Sequence, residues 1–476
     1  MNLTIREIIS ACNGGFIACD FAERAGQAAQ RHEGKIVTSI SIDTRTITPG
    51  ALFVPLKGEN SDGHEFLKQA EKNGAICVLS EQQNAPSDMD IPIIYVRCTR
   101  RALMDIAAMY RRRCGVKVVA ITGSAGKTTT KDMTAQIAAQ KYKTKSTIKN
   151  YNNDIGVPLS IFQLEQGDEV LVLEMGMNHA NELHELSLIG KPDIAVITHI
   201  GDSHIENLGS REGILRAKLE ILDGVRLGST IVLNGDDPLL TGAIAAKKTR
   251  GYNVLLPCSE NIVTEPLGFD GTRCWFNWRG QAIHITVPLP GRHMAMNALM
   301  ACVVGLELGV TPAQISAAFE NFVPPSGRLN IFEFNGIRII DDVYNASPSS
   351  MREAIKILCG AKGRRVAVLG DMFELGGAGQ ALHREVGELA AQSGVDLLIT
   401  VGTLSRWINE GFNSDCTVVG MSPRSLNGLP TGKREAYHYD TLGELDINEH
   451  IRRGDTVLLK ASNGMRFGKL AELFRG

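Results

Sequence analysis

The chain has no run of eighteen apolar residues, no CxxC pair, no His/Cys cluster at metal-ligand spacing, no repeat of fixed period and no low-complexity tract. The first absence argues against a membrane-spanning helix. Arg6 and Glu7 lie where a leader would need apolar residues, so no signal peptide is expected and the chain is expected in the cytoplasm. Ten cysteines scattered without a motif argue against a zinc site and a disulfide frame, and read as reduced, mostly buried thiols. Lys and Arg number 50 against 52 Asp and Glu, and a net charge of -2 is too weak a field to draw the chain to nucleic acid or anionic lipid. Partners must be recognised by local sites.

What is present is 476 residues with an ordinary 43% hydrophobic share, enough for three domains with separate cores. Residues 1–98 mix short strands and helices, with turn chemistry at Thr48-Pro49-Gly50 and Ser61-Asp62-Gly63, and read as a small α/β module. A second unit, 99–326, opens on a charged helix over 100–113. An apolar strand over 116–121, a Gly-rich turn and a helix over 127–142 follow. Strands over 170–173, 194–198 and 230–233 then alternate with helical stretches such as 212–225, which predicts a parallel sheet covered on both faces. After the hinge-like Pro324-Pro325-Ser326-Gly327 the alternation restarts, so 327–476 reads as a third, Rossmann-like α/β domain.

The segment Thr122-Gly123-Ser124-Ala125-Gly126-Lys127-Thr128-Thr129 ends an apolar strand and opens a helix. Glycines there let backbone N–H groups point inward, the helix N-terminus adds partial positive charge, Lys127 can reach the outer phosphates and Thr128 can hold magnesium. The first glycine stands at 123, not at the 121 of the usual eight-residue loop, so the cradle is short. Kinases, motors and ligases share this device, so it selects a nucleotide and not a reaction.

Glu174 closes the strand over 170–173, and His199 and His204 follow the next one, which puts all three at the edge of the sheet where open α/β folds bind ligands. A carboxylate and an imidazole from adjacent strand ends can hold a divalent cation or orient its waters. By spacing alone, Asn150, Asn152 and Asn153 read as a turn and Lys218 as a solvated helix lysine.

Taken in order, these motifs resemble the Mur ligase family over nearly the whole chain. They are Asp43-Thr44-Arg45 and Asp62-Gly63-His64, the TGSAGKTTTK loop, NYNNDIGVPLS at 150–160, LEMGMNH at 173–179 and HIGDSHIENLGSREGI at 199–214. The LEMG form resembles the members that add a dipeptide, not those that add single amino acids. The resemblance implies an ATP- and Mg²⁺-dependent ligase that joins UDP-N-acetylmuramoyl-tripeptide to D-alanyl-D-alanine and acts as a monomer. It further implies that Thr44, Arg45 and Asp62 serve the UDP end of the substrate and that Asn152 and Asn153 contact substrate. Residues Gly123 to Thr129 would hold the ATP phosphates, with one magnesium on Thr128 and Glu174 and a second on His204 and a carbamylated Lys218. His293 and Asn297 would lie by the adenine, and Arg328, Asp342 and Tyr344 would close over the nucleotide. Two positions depart from the family pattern: Met294 where Asn usually follows the histidine, and Lys460-Ala461-Ser462-Asn463 where Lys-Gly-Ser-Arg is usual.

Overall fold

The computed structural model describes residues 1–16, 32–59, 61–83, 89–246, 248–414 and 434–475. Its three α/β domains follow one another along the chain. In the first, strands Gly15–Phe16, Ile93–Tyr95, Ala75–Ser80, Ala51–Phe53 and Ser39–Ser41 form one sheet in that spatial order, parallel except at the Gly15–Phe16 edge.

The second domain is built on a six-stranded parallel sheet ordered Asn253–Leu255, Thr230–Leu233, Ile194–Ile197, Lys117–Thr122, Val170–Glu174 and Thr144–Ser146. Its strands are apolar on both faces because both faces are covered. Val119, Ile121, Val172 and Val196 point into a core shared with helix Arg292–Glu307 and the third domain. Val118, Ala120, Leu171 and Ile197 point the other way, into a core shared with helix Thr99–Cys114 and the first domain. Period-2 alternation thus divides one sheet between two interdomain cores.

The third sheet runs Asn330–Phe334, Ile337–Asp341, Thr456–Lys460, Arg365–Gly370, Leu397–Val401 and Glu435–Tyr439, parallel after its first, antiparallel pair.

Most expected elements appear with ends shifted by a few residues. The helix expected over 127–142 stops at Ala138, and the one over 212–225 is Arg211–Leu219 followed by a short 3₁₀ turn. Two features were not foreseen. An antiparallel sheet, Ile262–Pro266, Thr272–Trp278 and Gln281–Val287, interrupts the α/β alternation, and helix Arg292–Glu307 lies almost wholly buried. That helix is apolar all round, so it carries no amphipathic period to announce it. Its Gly305 lets the helix lie directly on Lys127–Ala138, since a Cβ there would come 2.4 Å from Ile137 Cγ2.

Among the described residues no cysteine is in a disulfide; Cys77, Cys274 and Cys302 are buried, Cys98 is exposed and the other four are half-buried. Burial of the thiols is therefore less complete than expected, because several lie on helix flanks. Cys19 and Cys416 lie outside the described residues. No helix among the described residues is long and apolar enough to cross a membrane.

Candidate active site

A cleft of about 1180 Å³ opens between the carboxyl edge of the central sheet and the third domain. Ser124, Ala125, Gly126, Lys127, Thr128 and Thr129 form one wall. The turn from strand to helix needs glycine twice. Gly123 has φ +148, with Thr198 Oγ1 standing 1.9 Å from where a Cβ would be, and Gly126 has φ +82, with Asn297 Oδ1 at 2.6 Å from that point. Asn297 therefore presses on the loop itself from the buried helix, and its Nδ2 donates to Met294 Sδ at 3.7 Å. The residue that departs from the family pattern serves here as a weak acceptor that orients Asn297.

Lys127 Nζ donates to Gly123 O at 2.7 Å, folded back over its own loop. Burial pushes this ammonium below the ordinary lysine range and Arg328 adds to the push, while Glu174 opposes it. Glu174 is 1% exposed, and both its oxygens are engaged: Thr128 Oγ1 donates to Oε2 at 2.7 Å and Asn152 Nδ2 to Oε1 at 2.8 Å. Its backbone amide donates to Thr147 Oγ1 at 3.0 Å, fixing the strand end.

No group of three or more His, Cys, Asp or Glu that could hold a metal occurs among the described residues. A buried carboxylate beside a threonine hydroxyl at the phosphate loop nevertheless fits magnesium, which takes one or two protein oxygens and completes its shell with waters and phosphate oxygens.

Lys218 contradicts the spacing-based reading of a solvated lysine. It is 1% exposed, its amine has no hydrogen bond or ion pair among the described residues, and burial together with the charge of Lys127 drives its ammonium well below the lysine range. A buried amine whose charged form is disfavoured is a chemically distinct group from a solvated ammonium. It does not line the cleft. His204, held in left-handed conformation at φ 66, does line the cleft and stands in close contact with Glu374 of the third domain.

His199 is committed elsewhere. Its Nδ1 lies 2.9 Å from Asp237 Oδ2, and Ile200 N donates to the same oxygen at 2.8 Å. Burial works to raise the Asp237 carboxyl, but His199 and the amides of Ile200 and Leu239 outweigh it and hold it low.

The opposite wall comes from beyond the Pro324–Gly327 segment. Arg328 lies over the Tyr344 ring, 3.8 Å from its centroid, and Asp342 Oδ1 accepts from Leu329 N at 3.3 Å. His293 Nδ1 stands 3.4 Å from Glu353 Oε2 across the same gap. The sequence reading missed Glu353, Glu374 and the buried ammonium of Lys460, which lines the cleft. No local pattern marks the first two, and Lys460 was visible only as part of a departing motif.

The first-domain residues lie away from this cleft. Asp43, not Thr44, caps the 3₁₀ turn Thr44–Thr46, and exposed Arg45 closes on Asp43 at 2.6 Å. Asp62 accepts from His64 N at 3.0 Å and pairs with its Nδ1 at 2.6 Å, so it positions buried His64, whose Nε2 accepts from Glu81 N. Asn153 Oδ1 accepts from Gly156 N at 2.8 Å and stays out of the cleft, whereas its neighbour Asn152 enters it.

Three family models match the chain: the Mur ligase middle domain over 121–305, the Mur ligase glutamate ligase domain over 327–463, and the Mur ligase family catalytic domain over 36–111. The UDP-N-acetylmuramoyl-tripeptide–D-alanyl-D-alanine ligase of Bacillus subtilis is 34% identical over 450 residues, 94% of each chain. The Escherichia coli ligase of the same description is 35% identical over 78% of this chain and 82% of its own. Among solved structures, a MurF from Acinetobacter baumannii superposes with a TM-score of 0.85 at 28% identity, covering 100% of this chain and 99% of that one. The MurF ligase of Thermotoga maritima in complex with ADP gives 0.78 at 27%, covering 92% and 97%. With a phosphate loop facing a third-domain wall across one cleft, and a relative matching over 94% of both chains, the chain belongs to the Mur ligase family.

Proposed function

We propose that the chain is an ATP-dependent ligase that joins UDP-N-acetylmuramoyl-tripeptide to D-alanyl-D-alanine, making the pentapeptide precursor of peptidoglycan with release of ADP and phosphate, as a cytoplasmic monomer. The observation that carries this reading is the single cleft into which the second domain sends Lys127, Thr128 and Glu174 and the third sends Arg328, Asp342 and Tyr344. The domains divide at 98/99 and 326/327 in this reading.

The tripeptide carboxylate attacks the γ-phosphorus of ATP, giving an acyl phosphate and ADP. The amine of D-alanyl-D-alanine then attacks the acyl carbon, loses a proton, and inorganic phosphate leaves. No enzyme nucleophile is required, so the chain's work is positioning and charge stabilisation. Gly123 to Thr129 cradle the phosphates, and Lys127 exchanges its bond to Gly123 O for a phosphate oxygen. His293 and Asn297 border the base, and Arg328, Asp342 and Tyr344 cover the nucleotide and exclude water from the acyl phosphate. Thr128 and Glu174 would hold one magnesium; His204 and Lys218 would hold a second, Lys218 as the carbamate formed when its amine adds to CO₂ and loses a proton. Bound magnesium offsets the repulsion between the anionic carboxylate and the triphosphate. Thr44, Arg45, Asp62, Asn152 and Asn153 serve the UDP-peptide, Asp62 through His64 and Asn153 through its loop.

Coupled phosphate release with D-alanyl-D-alanine and either the lysine or the diaminopimelate form of the tripeptide tests the assignment. Turnover with one form is expected; turnover with a single amino acid and none with the dipeptide would refute it.

A further inference from the structure

Glu374, from the third domain, meets His204, a proposed metal-holding side chain, directly. Its carboxylate Oε2 lies against His204 Nδ1, so Nε2 is the nitrogen of that ring left for a ligand. A histidine that binds a metal through one nitrogen commonly gives the N–H of the other to a carboxylate, which fixes tautomer and ring orientation and strengthens the donor.

The surroundings of Glu374 are built to hold it there. Its backbone is left-handed at φ 63, an uncommon conformation for a residue with a side chain. Its carbonyl accepts from Glu206 N at 3.2 Å, two residues beyond His204. Gly376, at φ +52, lies so near Glu206 that a Cβ would come 3.3 Å from its Cα. The preceding turn is anchored from below: Met372 N donates to Nε2 of wholly buried His383 at 2.9 Å, and Phe373 N to Ser462 Oγ at 2.9 Å. His383 in turn gives Nδ1–H to Gly379 O at 2.7 Å, and burial lowers the ring's affinity for a second proton, in accord with that pair of bonds.

We propose that Glu374 is the positioning residue of His204, accepting a hydrogen bond from Nδ1–H so that Nε2 faces a divalent cation at the nucleotide. The second cation site is then complete only while the third domain is closed onto the second, which couples cation loading to domain arrangement. This rests on the reading of His204 as a holder of the second magnesium.

Manganese serves as the probe, counted by electron paramagnetic resonance on the full chain with a nonhydrolysable ATP analogue and the UDP-tripeptide. Wild type is expected to show two classes of bound Mn²⁺, and His204→Ala to lose the weaker. Glu374→Ala should weaken that same class about 10- to 100-fold and leave the tighter class intact, which also reports a folded second domain. Glu374→Gln, whose amide oxygen still accepts Nδ1–H, should keep most of the affinity. Wild-type binding in Glu374→Ala, or equal damage in Glu374→Gln, overturns the inference alone. A single Mn²⁺ class in wild type overturns it together with the assignment of His204.

Discussion

Lys460, 2% exposed, donates from Nζ to Asp342 Oδ2 at 2.6 Å and to Asn345 O at 2.9 Å, while Asp342 Oδ1 receives Leu329 N. One carboxylate thus ties the end of a third-domain strand to the chain just past the interdomain segment, where Tyr344 N also donates to Gly327 O at 3.0 Å. Removing only the cation strands a largely buried anion. Lys460→Met is expected to destabilise by about 3–5 kcal/mol, and adding Asp342→Asn should recover a large part of it. Urea unfolding of the two variants checks this; an additive double variant would contradict the pairing.

Lys127 carries a charge that the folded chain already disfavours, so its loss should spare the fold. Lys127→Ala is expected to lower kcat by about 10²- to 10³-fold, the scale for removing one preorganised charge-stabilising group. Its unfolding midpoint should not fall. Steady-state kinetics and a thermal melt together decide it.

Glu353 is held at about 2, first by His293, with burial opposing and Lys356 adding to the lowering. Its folded value lies below the unfolded one, so the stability it contributes is present above pH 4.5 and is lost as pH falls toward about 2. Against Glu353→Gln, the wild type should hold a constant advantage in urea midpoint from pH 5 to 6 that shrinks on acidification. The side chain is 35% exposed, so solvent screening keeps the advantage small. An advantage that grew in acid would reverse the assigned sign.

Gly305 admits the close approach of its helix to Ile137. Gly305→Ala should cost about 1–3 kcal/mol through overpacking. Ile137→Ala should absorb part of that penalty, giving non-additive unfolding free energies in a double-variant cycle.

Residues that work through their immediate neighbours were legible in the chain. The phosphate loop was readable because a strand, two constrained glycines and a helix start must be contiguous to make it. Glu174 and His204 were readable because parallel strands of similar length bring their carboxyl ends to one edge, and the paired strands here do so. Helix Arg292–Glu307 was not, since full burial erases the polar face that a periodic pattern depends on.

Sequence by itself determined the domain order, the both-faces-buried central sheet, the nucleotide cradle and, through its motifs, the family. Tertiary structure alone decided which charged groups meet. Lys218 lost its solvent, His199 went to Asp237, Lys460 went to Asp342, and Glu374 reached His204 from 170 residues further along the chain. The physical reason is that electrostatic partnership depends on distance and desolvation in space, and both are set by how separate domains close on one another rather than by any spacing along the backbone.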